Sequence, residues 1–160
     1  MNRIPADQRR ALLVQAALRV IAKQGVSGAT TRAIVAEAGM SLASFHYAFR
    51  SHDEMMRELV AYVVDAESMA SFAALRPGTD IRTSLRAGLG AFLGYVMADP
   101  FHEQVLQELM LYALRTPDLE NLAREQHERY RATAIELLTE GAAAAGVTWT
   151  VPVDDVARAL

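Results

Sequence analysis

Apolar residues recur at helical spacing through the first part of the chain. From Leu13 to Ile21 they fall on one side of a predicted first helix, which Gly25 ends. The segment from 30 to 49, TTRAIVAEAGMSLASFHYAF, then predicts a short helix, a glycine turn and a second short helix. Two short helices joined by a tight turn form the unit that places a helix in the major groove of DNA.

The first of these two short helices has a capped start and a glycine end. Thr30 or Thr31 can accept a hydrogen bond from an otherwise unpaired backbone N–H, so the helix is predicted to begin there. Ile34 and Val35 supply its inward face. Gly39 follows at the position where a residue in the left-handed conformation ends a helix at little cost.

The second short helix has one aromatic side and one small, polar side. Ser41 can cap its start, and Phe45 and Phe49 lie four residues apart, so these two rings share a face that packs inward. The other positions point elsewhere and are free to contact a partner. They are Leu42, Ala43, Ser44, His46 and Tyr47.

The remainder of the chain predicts further helices. Ser51 and Glu54 form a capping box, in which Ser51 caps a fourth helix and Glu54 reaches back to the Ser51 N–H. Loops that contain proline separate the next helices, and the loop at 116–118 opens a long helix that reaches about Ala145. No run has the two-residue period of a strand, so the sequence predicts an all-α fold.

Charge is distributed unevenly along the chain. The 160 residues carry a net charge of −3, which alone argues against a nucleic-acid binder. Residues 1–52 hold seven basic and two acidic side chains, a net charge of +5, whereas residues 53–160 carry −8. This asymmetry is typical of a DNA-binding domain joined to a domain that avoids phosphate. We therefore predict a DNA-binding domain at 1–52 and a second helical domain at 53–160.

Composition excludes several other classes of protein. No apolar run reaches the roughly 18 residues of a membrane-spanning helix and no signal peptide is present, so we expect a cytoplasmic protein that contacts no membrane. Cysteine is absent, which excludes disulfides and thiolate metal sites. The four histidines lack metal-ligand spacing, and neither a glycine-rich phosphate loop nor a nucleophile elbow occurs. We expect no enzyme activity, no metal and no cofactor.

Residues 9–60 resemble the DNA-binding region of the TetR family of bacterial transcriptional regulators. TTRAIVAEAGMS resembles the second helix and turn of that family, and SLASFHYAFRSHDEMM resembles its recognition helix and the start of its fourth helix. Departures from the family pattern also occur. Ala43 replaces a glycine, His46 replaces an aromatic residue, and Ala48 and His52 replace a histidine and a lysine that often contact phosphate. Loss of the lysine predicts a non-specific affinity that is weaker or that depends on the protonation of His52.

The resemblance implies a set of side chains that contact DNA: Thr31, Arg32, Ser41, Leu42, Ala43, Ser44, His46, Tyr47 and His52. Recognition-helix residues before Tyr47 would lie at or beside base edges, Tyr47 would lie against a phosphate, and the Thr31 hydroxyl and N–H would face phosphate. Arg32 is the strongest candidate for reading a base, because a guanidinium grips guanine O6 and N7 with two hydrogen bonds. The alternative is a solvated arginine on the second helix.

The resemblance also implies a pocket for a small hydrophobic or amphipathic effector among helices five to seven. This part of the chain is rich in aromatic and methionine side chains, which suit an apolar pocket. The candidate pocket residues are Phe72, Phe92, Tyr95, Gln107, Met110 and Tyr130. The alternative for each is an ordinary place in the core or, for Gln107, in solvent.

For the whole protein, the resemblance implies a repressor in the bacterial cytoplasm, associated with the nucleoid, that binds a palindromic double-stranded operator as a homodimer and that an effector releases. The alternative is a helix-turn-helix protein without a small-molecule effector, controlled by a protein partner or by abundance. The pattern VDDVARAL stops within a predicted last helix, whereas family members continue with helices that pair across a two-fold axis. We therefore expect a chain shortened at its C-terminus; a naturally short member, ending at Leu160, is the alternative.

Overall fold

In the computed structural model, which describes residues 5–76, 78–119 and 121–159, every regular element is a helix. The predicted all-α class is thereby confirmed. None of the described helices combines the length and apolar character that crossing a membrane requires. Two short 3-10 turns, Val26–Gly28 and Pro117–Leu119, accompany the α-helices. The α-helices are α1 (Ala6–Gln24), α2 (Thr31–Glu37), α3 (Leu42–Ala48), α4 (His52–Ala73), α5 (Ile81–Ala98), α6 (Pro100–Ala113), α7 (Leu122–Ala145) and α8 (Val153–Ala157).

Contacts divide the described residues into two units. The first unit comprises the residues up to Val63 together with Phe101–Ala123, and so contains α1 to α3, the first part of α4 and almost all of α6. The second unit comprises Val64–Pro100 and the residues from Arg124 onward, with α5, most of α7 and α8. The helix α4 contributes residues to both units. The domain boundary after residue 52 stays a prediction.

The three N-terminal helices enclose a core in the first unit. Their apolar side chains are buried on the faces that the sequence pattern predicted, and Phe45 and Phe49 lie against each other with ring centroids 5.5 Å apart. Burial of a side chain of this size contributes about 1.5–3 kcal/mol, so this core fixes the orientation of α3. The buried set includes Leu13, Ala17, Val20, Ile21, Ile34, Val35, Phe45 and Phe49.

Two glycines in the left-handed conformation follow α1 and α2. Gly25 has φ 75° and Gly39 has φ 64°. A Cβ atom added to Gly39 would meet no other described group within 4 Å, whereas one added to Gly25 would lie 2.7 Å from Glu108 Oε1. That same carboxylate oxygen accepts a hydrogen bond from the Val26 N–H at 2.7 Å. Glu108 of α6 therefore holds the chain where α1 ends.

We expect Gly25→Ala to lower the free energy of unfolding by about 1 kcal/mol more than Gly39→Ala does. Alanine at position 39 enters the left-handed region, which costs roughly 1–2 kcal/mol. Position 25, with φ 75° and ψ 168°, lies in a region that glycine alone adopts readily, at a cost of about 1–3 kcal/mol. Only at position 25 does the new methyl group also displace the carboxylate that pairs with the Val26 N–H. Urea unfolding of the two variants measures the difference. Equal losses would mean that Glu108 moves aside without cost.

The start of α4 departs from the predicted capping box in one bond. The Ser51 hydroxyl accepts the Glu54 N–H at 3.0 Å, as predicted. The prediction was wrong for the return bond, because the Glu54 carboxylate accepts the Arg50 N–H at 2.8 Å rather than the Ser51 N–H. The physical reason lies on α1, where Arg10 also donates to this carboxylate at 3.2 Å and holds it away from the cap.

The long helix α7 begins later than predicted. The 3-10 turn Pro117–Leu119, in which the Leu119 N–H donates to the Thr116 carbonyl at 2.9 Å, precedes it, and α7 itself starts at Leu122. Leu119 and Leu122 are both fully buried. The tighter turn lets Leu119 enter the core before the regular helix begins, and Leu122 is buried at its first position. The end of α7 at Ala145 is as predicted.

In the second unit, polar side chains join α7 to α8 and to α4. Arg131 on α7 donates through Nε to the Asp154 carboxylate on α8 at 2.9 Å. This guanidinium lowers the pKa of Asp154, which therefore stays ionised. One residue earlier on α7, the Tyr130 hydroxyl donates to Glu67 Oε2 on α4 at 2.5 Å. Glu67 is only 1% exposed, so this bond supplies a partner for a buried carboxyl group.

Candidate nucleic-acid interface

The helix α2 begins with a threonine cap and carries an exposed arginine. Thr30 Oγ1 accepts the Ala33 N–H at 3.2 Å, so Thr31 is the first helical residue. Arg32 follows it as an exposed side chain. Its guanidinium makes no ion pair with another described residue. Arg32 is therefore available to a phosphate or to a base.

The turn between α2 and α3 is closed by backbone bonds and by Ser41. The Met40 N–H donates to the Val35 carbonyl at 2.8 Å, around Gly39 in its left-handed conformation. Ser41 Oγ accepts the Ser44 N–H at 3.2 Å and lies 3.0 Å from Ser44 Oγ. The two serines, both predicted to contact DNA, thus hold the first turn of α3.

The helix α3 presents an exposed face beside its buried one. Phe45 and Ala48 are buried, which turns the positions between and before them outward. Tyr47 is 81% exposed, so most of this large aromatic ring is accessible to a binding partner. We define the recognition surface as the exposed predicted DNA contacts of α2 and α3. It consists of Arg32, Leu42, Ala43, His46 and Tyr47.

His52 is engaged within the first unit. Its Nε2 lies 2.6 Å from the Ala29 carbonyl oxygen, and because a carbonyl only accepts, Nε2 carries the hydrogen in this contact. Nδ1 lies 3.8 Å from an Asp53 carboxylate oxygen. The ring therefore ties the first turn of α4 to the loop before α2. Its contact with phosphate stays a prediction.

The single acidic residue of α2 is neutralised from α1. The Glu37 carboxylate accepts from Arg19 Nε at 2.8 Å and lies 3.4 Å from Lys23 Nζ. Arg19, and then Lys23, lower the pKa of Glu37, which keeps it ionised and paired. Its negative charge therefore does little to repel a phosphate that approaches Arg32 on the same short helix.

Arg10 fixes the C-terminal end of α3 from the side of α1. One guanidinium nitrogen donates to the Ala48 carbonyl at 2.5 Å, and the guanidinium carbon lies 4.3 Å from the centroid of the Phe49 ring. The same group reaches Glu54 at 3.2 Å and Glu58 at 2.9 Å on α4. Glu58 first, and then Glu54, raise the pKa of Arg10. One side chain thus joins α1, α3 and α4.

Glu54 predicts how the first unit responds to acid. The Arg50 N–H, and then Arg10, lower the pKa of its carboxyl below the usual range. In the unfolded chain this group titrates near roughly 4.3, so its bonds stabilise the fold above that pH and the contribution is lost as pH falls through the lower folded value. From about pH 5 to about pH 3 we expect wild type to lose more unfolding free energy than Glu54→Gln does, measured by urea unfolding. Parallel losses would contradict this, and Glu140→Gln, at an exposed position of α7, is the matched control.

A cavity of about 410 Å³ lies within the second unit, and α4, α5 and α7 contribute to its lining together with the end of α8. Two of the predicted pocket residues, Phe92 and Tyr130, line it. Their ring centroids are 6.5 Å apart and the ring planes are nearly perpendicular, at 89°. Ser71, Leu89 and Arg131 are among the other lining residues.

The other four predicted pocket residues do not line this cavity, and their contact with an effector stays a prediction. Phe72 and Tyr95 are half-buried residues of the second unit that do not line this cavity. Gln107 and Met110 lie on α6 in the first unit. Gln107 is exposed and donates to Glu103 Oε1 at 2.6 Å, and Met110 is buried.

Two arginines near the recognition surface were not singled out from the sequence. The side chain of Arg50 is exposed, two residues after the end of α3. Its position gave a usable signal, because a basic residue beside a recognition helix suits phosphate. The role of Arg10 gave no signal, since its partners lie 38 to 48 residues away in the chain.

A family model and several proteins match this chain. The model, described as bacterial regulatory proteins of the tetR family, matches residues 13–59. The HTH-type nicotine-responsive transcriptional repressor HdnoR of Paenarthrobacter nicotinovorans is 30% identical over 158 residues, which cover 99% of this chain and 80% of that protein. The HTH-type transcriptional regulator BetI of Rhizobium meliloti (strain 1021) is 33% identical over 150 residues, covering 85% of this chain and 73% of that protein. The solved structure of a TetR-family member from Streptomyces coelicolor A3 has a TM-score of 0.69 at 27% identity and covers 95% of this chain and 80% of that chain.

Proposed function

Because the chain belongs to the TetR family of bacterial regulatory proteins, and is a helix-turn-helix transcriptional regulator rather than an enzyme, we propose that it is a dimeric repressor that a small molecule releases from a palindromic operator. As a DNA-bound regulator it would act in the bacterial cytoplasm, at the nucleoid. The exposed face of α3 is the observation that carries this proposal.

The recognition surface supports binding of α3 in a major groove. All of its side chains except Arg32 stand on α3, which the buried Phe45 and the following Phe49 fix to the core, so this part of the surface is formed before DNA arrives. Arg32 can form two hydrogen bonds with a guanine, which discriminate between bases by about 1–3 kcal/mol. Tyr47, by contrast, would position the helix against a phosphate without reading the sequence.

Dimerisation follows from what one copy of α3 can reach. A single recognition helix reads one half-site, which limits both the affinity and the number of base pairs that are recognised. Two copies related by a two-fold axis place their helices in successive major grooves, about 34–36 Å apart. We therefore expect the operator to be palindromic, with half-sites separated by one turn of DNA.

The cavity in the second unit supports control by a small molecule. Its volume of about 410 Å³ falls in the range of ligand sites, roughly 300–1,000 Å³. Phe92 and Tyr130 give it aromatic walls. The related repressor HdnoR is nicotine-responsive, which supports an effector of small-molecule size for this chain.

Release would follow from a difference in affinity between two states of the dimer. An effector that binds the state with low DNA affinity more tightly shifts the population toward it. A shift from 1:99 to 99:1 requires about 5.5 kcal/mol of differential binding. The helix α4 is the natural carrier of this coupling, because it contributes residues to both units.

Selection of genomic DNA fragments by the purified protein tests the proposal. Sequencing of the retained fragments should reveal a two-fold symmetric site, whose affinity falls steeply as salt rises because several phosphates are contacted. Weak binding that is equal for every fragment would contradict a sequence-reading role. With an operator in hand, a screen for compounds that both raise the melting temperature and release the DNA tests the effector. If no compound that fits the cavity does either, the regulator works without a small-molecule effector.

A further inference from the structure

We propose that the cavity of the second unit takes an organic cation, namely an ammonium or protonated amine that carries an apolar group. This inference rests on the proposed effector function and names the chemical class of the effector. Three features of the cavity point to it: two aromatic walls, a buried carboxyl group behind one of them, and arginines that are already paired with aspartates.

The aromatic walls are Phe92 on α5 and Tyr130 on α7. Both rings line the cavity, with centroids 6.5 Å apart and planes at 89° to each other. The two rings meet edge to face, and because both line the cavity, a compact group inside it can contact both side chains. The face of an aromatic ring carries negative electrostatic potential, which attracts an ammonium group most strongly where water is excluded.

The buried carboxyl group belongs to Glu67 on α4. Its Oε2 accepts the hydroxyl hydrogen of Tyr130 at 2.5 Å, and the residue is 1% exposed. Donation to the carboxyl oxygen polarises the Tyr130 O–H bond and leaves the phenol oxygen more electron-rich. The hydrogen bond also fixes the position of the Tyr130 ring as a wall of the cavity.

The basic side chains at the cavity do not favour an anion. Arg131 donates to Asp154 through Nε and a terminal nitrogen, and Arg158 donates to the other oxygen of the same carboxylate at 2.7 Å. A second carboxylate, that of Asp155, lies 3.9 Å from a guanidinium nitrogen of Arg158. An anionic ligand would have to compete with these carboxylates. His127, the remaining basic lining residue, is exposed to solvent, which weakens its electrostatic interaction with a ligand.

Binding of three probes of similar shape tests the inference by calorimetry on the full chain. The cation is phenyltrimethylammonium, its neutral isostere is tert-butylbenzene, and the anion is benzenesulfonate. We expect the cation to bind about tenfold more tightly than the neutral isostere, and the anion to bind more weakly than the cation. Equal affinity of the cation and its isostere, or preference for the anion, would overturn the proposal without any variant.

Variants assign the effect to the residues named. Glu67→Gln replaces the carboxyl group by an amide, Tyr130→Phe keeps the ring but removes its hydrogen bond, and Phe92→Leu removes the second wall. Each should weaken binding of the cation by about fivefold or more and change binding of the isostere less. Glu128→Gln, at an exposed position on α7 outside the cavity lining, is the matched control and should change neither. If Glu67→Gln fails to fold, the other two variants decide, and unchanged preference for the cation in both would overturn the assignment.

The DNA selection described above separates this inference from the proposed function. Preference for the cation together with no selected operator would contradict the regulator while leaving the ligand class intact. A selected operator together with no preference for the cation would overturn the ligand class while leaving the regulator intact.

Discussion

The double variant Arg32→Ala, Tyr47→Ala is expected to lose about 100-fold in affinity for the selected operator while melting at the wild-type temperature. Loss of a two-bond contact between arginine and guanine costs about 1–3 kcal/mol, and loss of the tyrosine contact adds to it. Stability should be unchanged within about 0.5 kcal/mol, because both side chains are exposed. Fluorescence anisotropy with the operator, alongside a thermal melt, measures both quantities.

The single variant Arg32→Ala then distinguishes two roles for this arginine. If Arg32 reads a guanine, affinity falls for the operator and much less for unrelated DNA. If it contacts a phosphate, affinity falls for all sequences and the slope of log affinity against log salt becomes smaller by about one. Arg82→Ala removes an exposed arginine of α5 in the second unit and should leave DNA affinity unchanged. A comparable loss with Arg82→Ala would point to non-specific electrostatics rather than to the recognition surface.

Local features of the chain could be predicted from the sequence because their causes are local. Gly39 adopts the left-handed conformation, and Ser41 caps α3 through an N–H three residues away. The aromatic pair Phe45 and Phe49 is buried because helical spacing puts both on one side. Each outcome depends on fewer than about six consecutive residues, which is the range over which turns and caps act.

Contacts between distant residues could not be predicted in the same way. Glu54 was expected to bond to Ser51, but Arg10 lies 44 residues away in the chain and holds the carboxylate elsewhere. The contact of His52 Nε2 with the carbonyl of Ala29, 23 residues earlier, was likewise not predictable, and the phosphate contact of His52 stays a prediction. No spacing rule connects such pairs, since the packing of whole helices brings them together.

The same limit applies to the cavity. Aromatic content pointed to Phe92 and Tyr130, but sequence spacing does not tell which helices are neighbours, and Gln107 and Met110 fell in the other unit. Glu67 was not singled out at all, because a glutamate on a helix is almost always a solvated residue. Glu67 can be buried because the Tyr130 hydroxyl, which lies 63 residues later in the chain, donates a hydrogen bond to it.

Arg10→Met should destabilise the first unit by about 2–3 kcal/mol. Methionine keeps the unbranched apolar stem, so packing changes little and the loss reports on the guanidinium. That loss has three parts: the Ala48 carbonyl loses its donor, Phe49 loses the cation over its ring, and two carboxylates lose their partner. The expected destabilisation is smaller than the sum of these three losses in a fully buried site, because the Arg10 side chain is 28% exposed and solvent screens its ion pairs. Urea unfolding followed by circular dichroism measures it.

The same substitution at Arg19 shows whether the destabilisation by Arg10→Met comes from the specific contacts of Arg10 or from the loss of a positive charge. Arg19 also joins α1 to another helix through a glutamate, but its side chain is half exposed and stacks on no ring of the described residues. Its loss also leaves Lys23 to pair with Glu37. Arg19→Met should therefore cost less than about 1 kcal/mol, the usual range for an exposed ion pair. Because Arg10, unlike Arg19, bonds to the Ala48 carbonyl at the end of α3, only Arg10→Met of these two variants should also weaken operator binding, by loosening the helix that carries the recognition surface. Equal destabilisation by the two variants would mean that net charge, and not the contacts with Ala48 and Phe49, stabilises this helix.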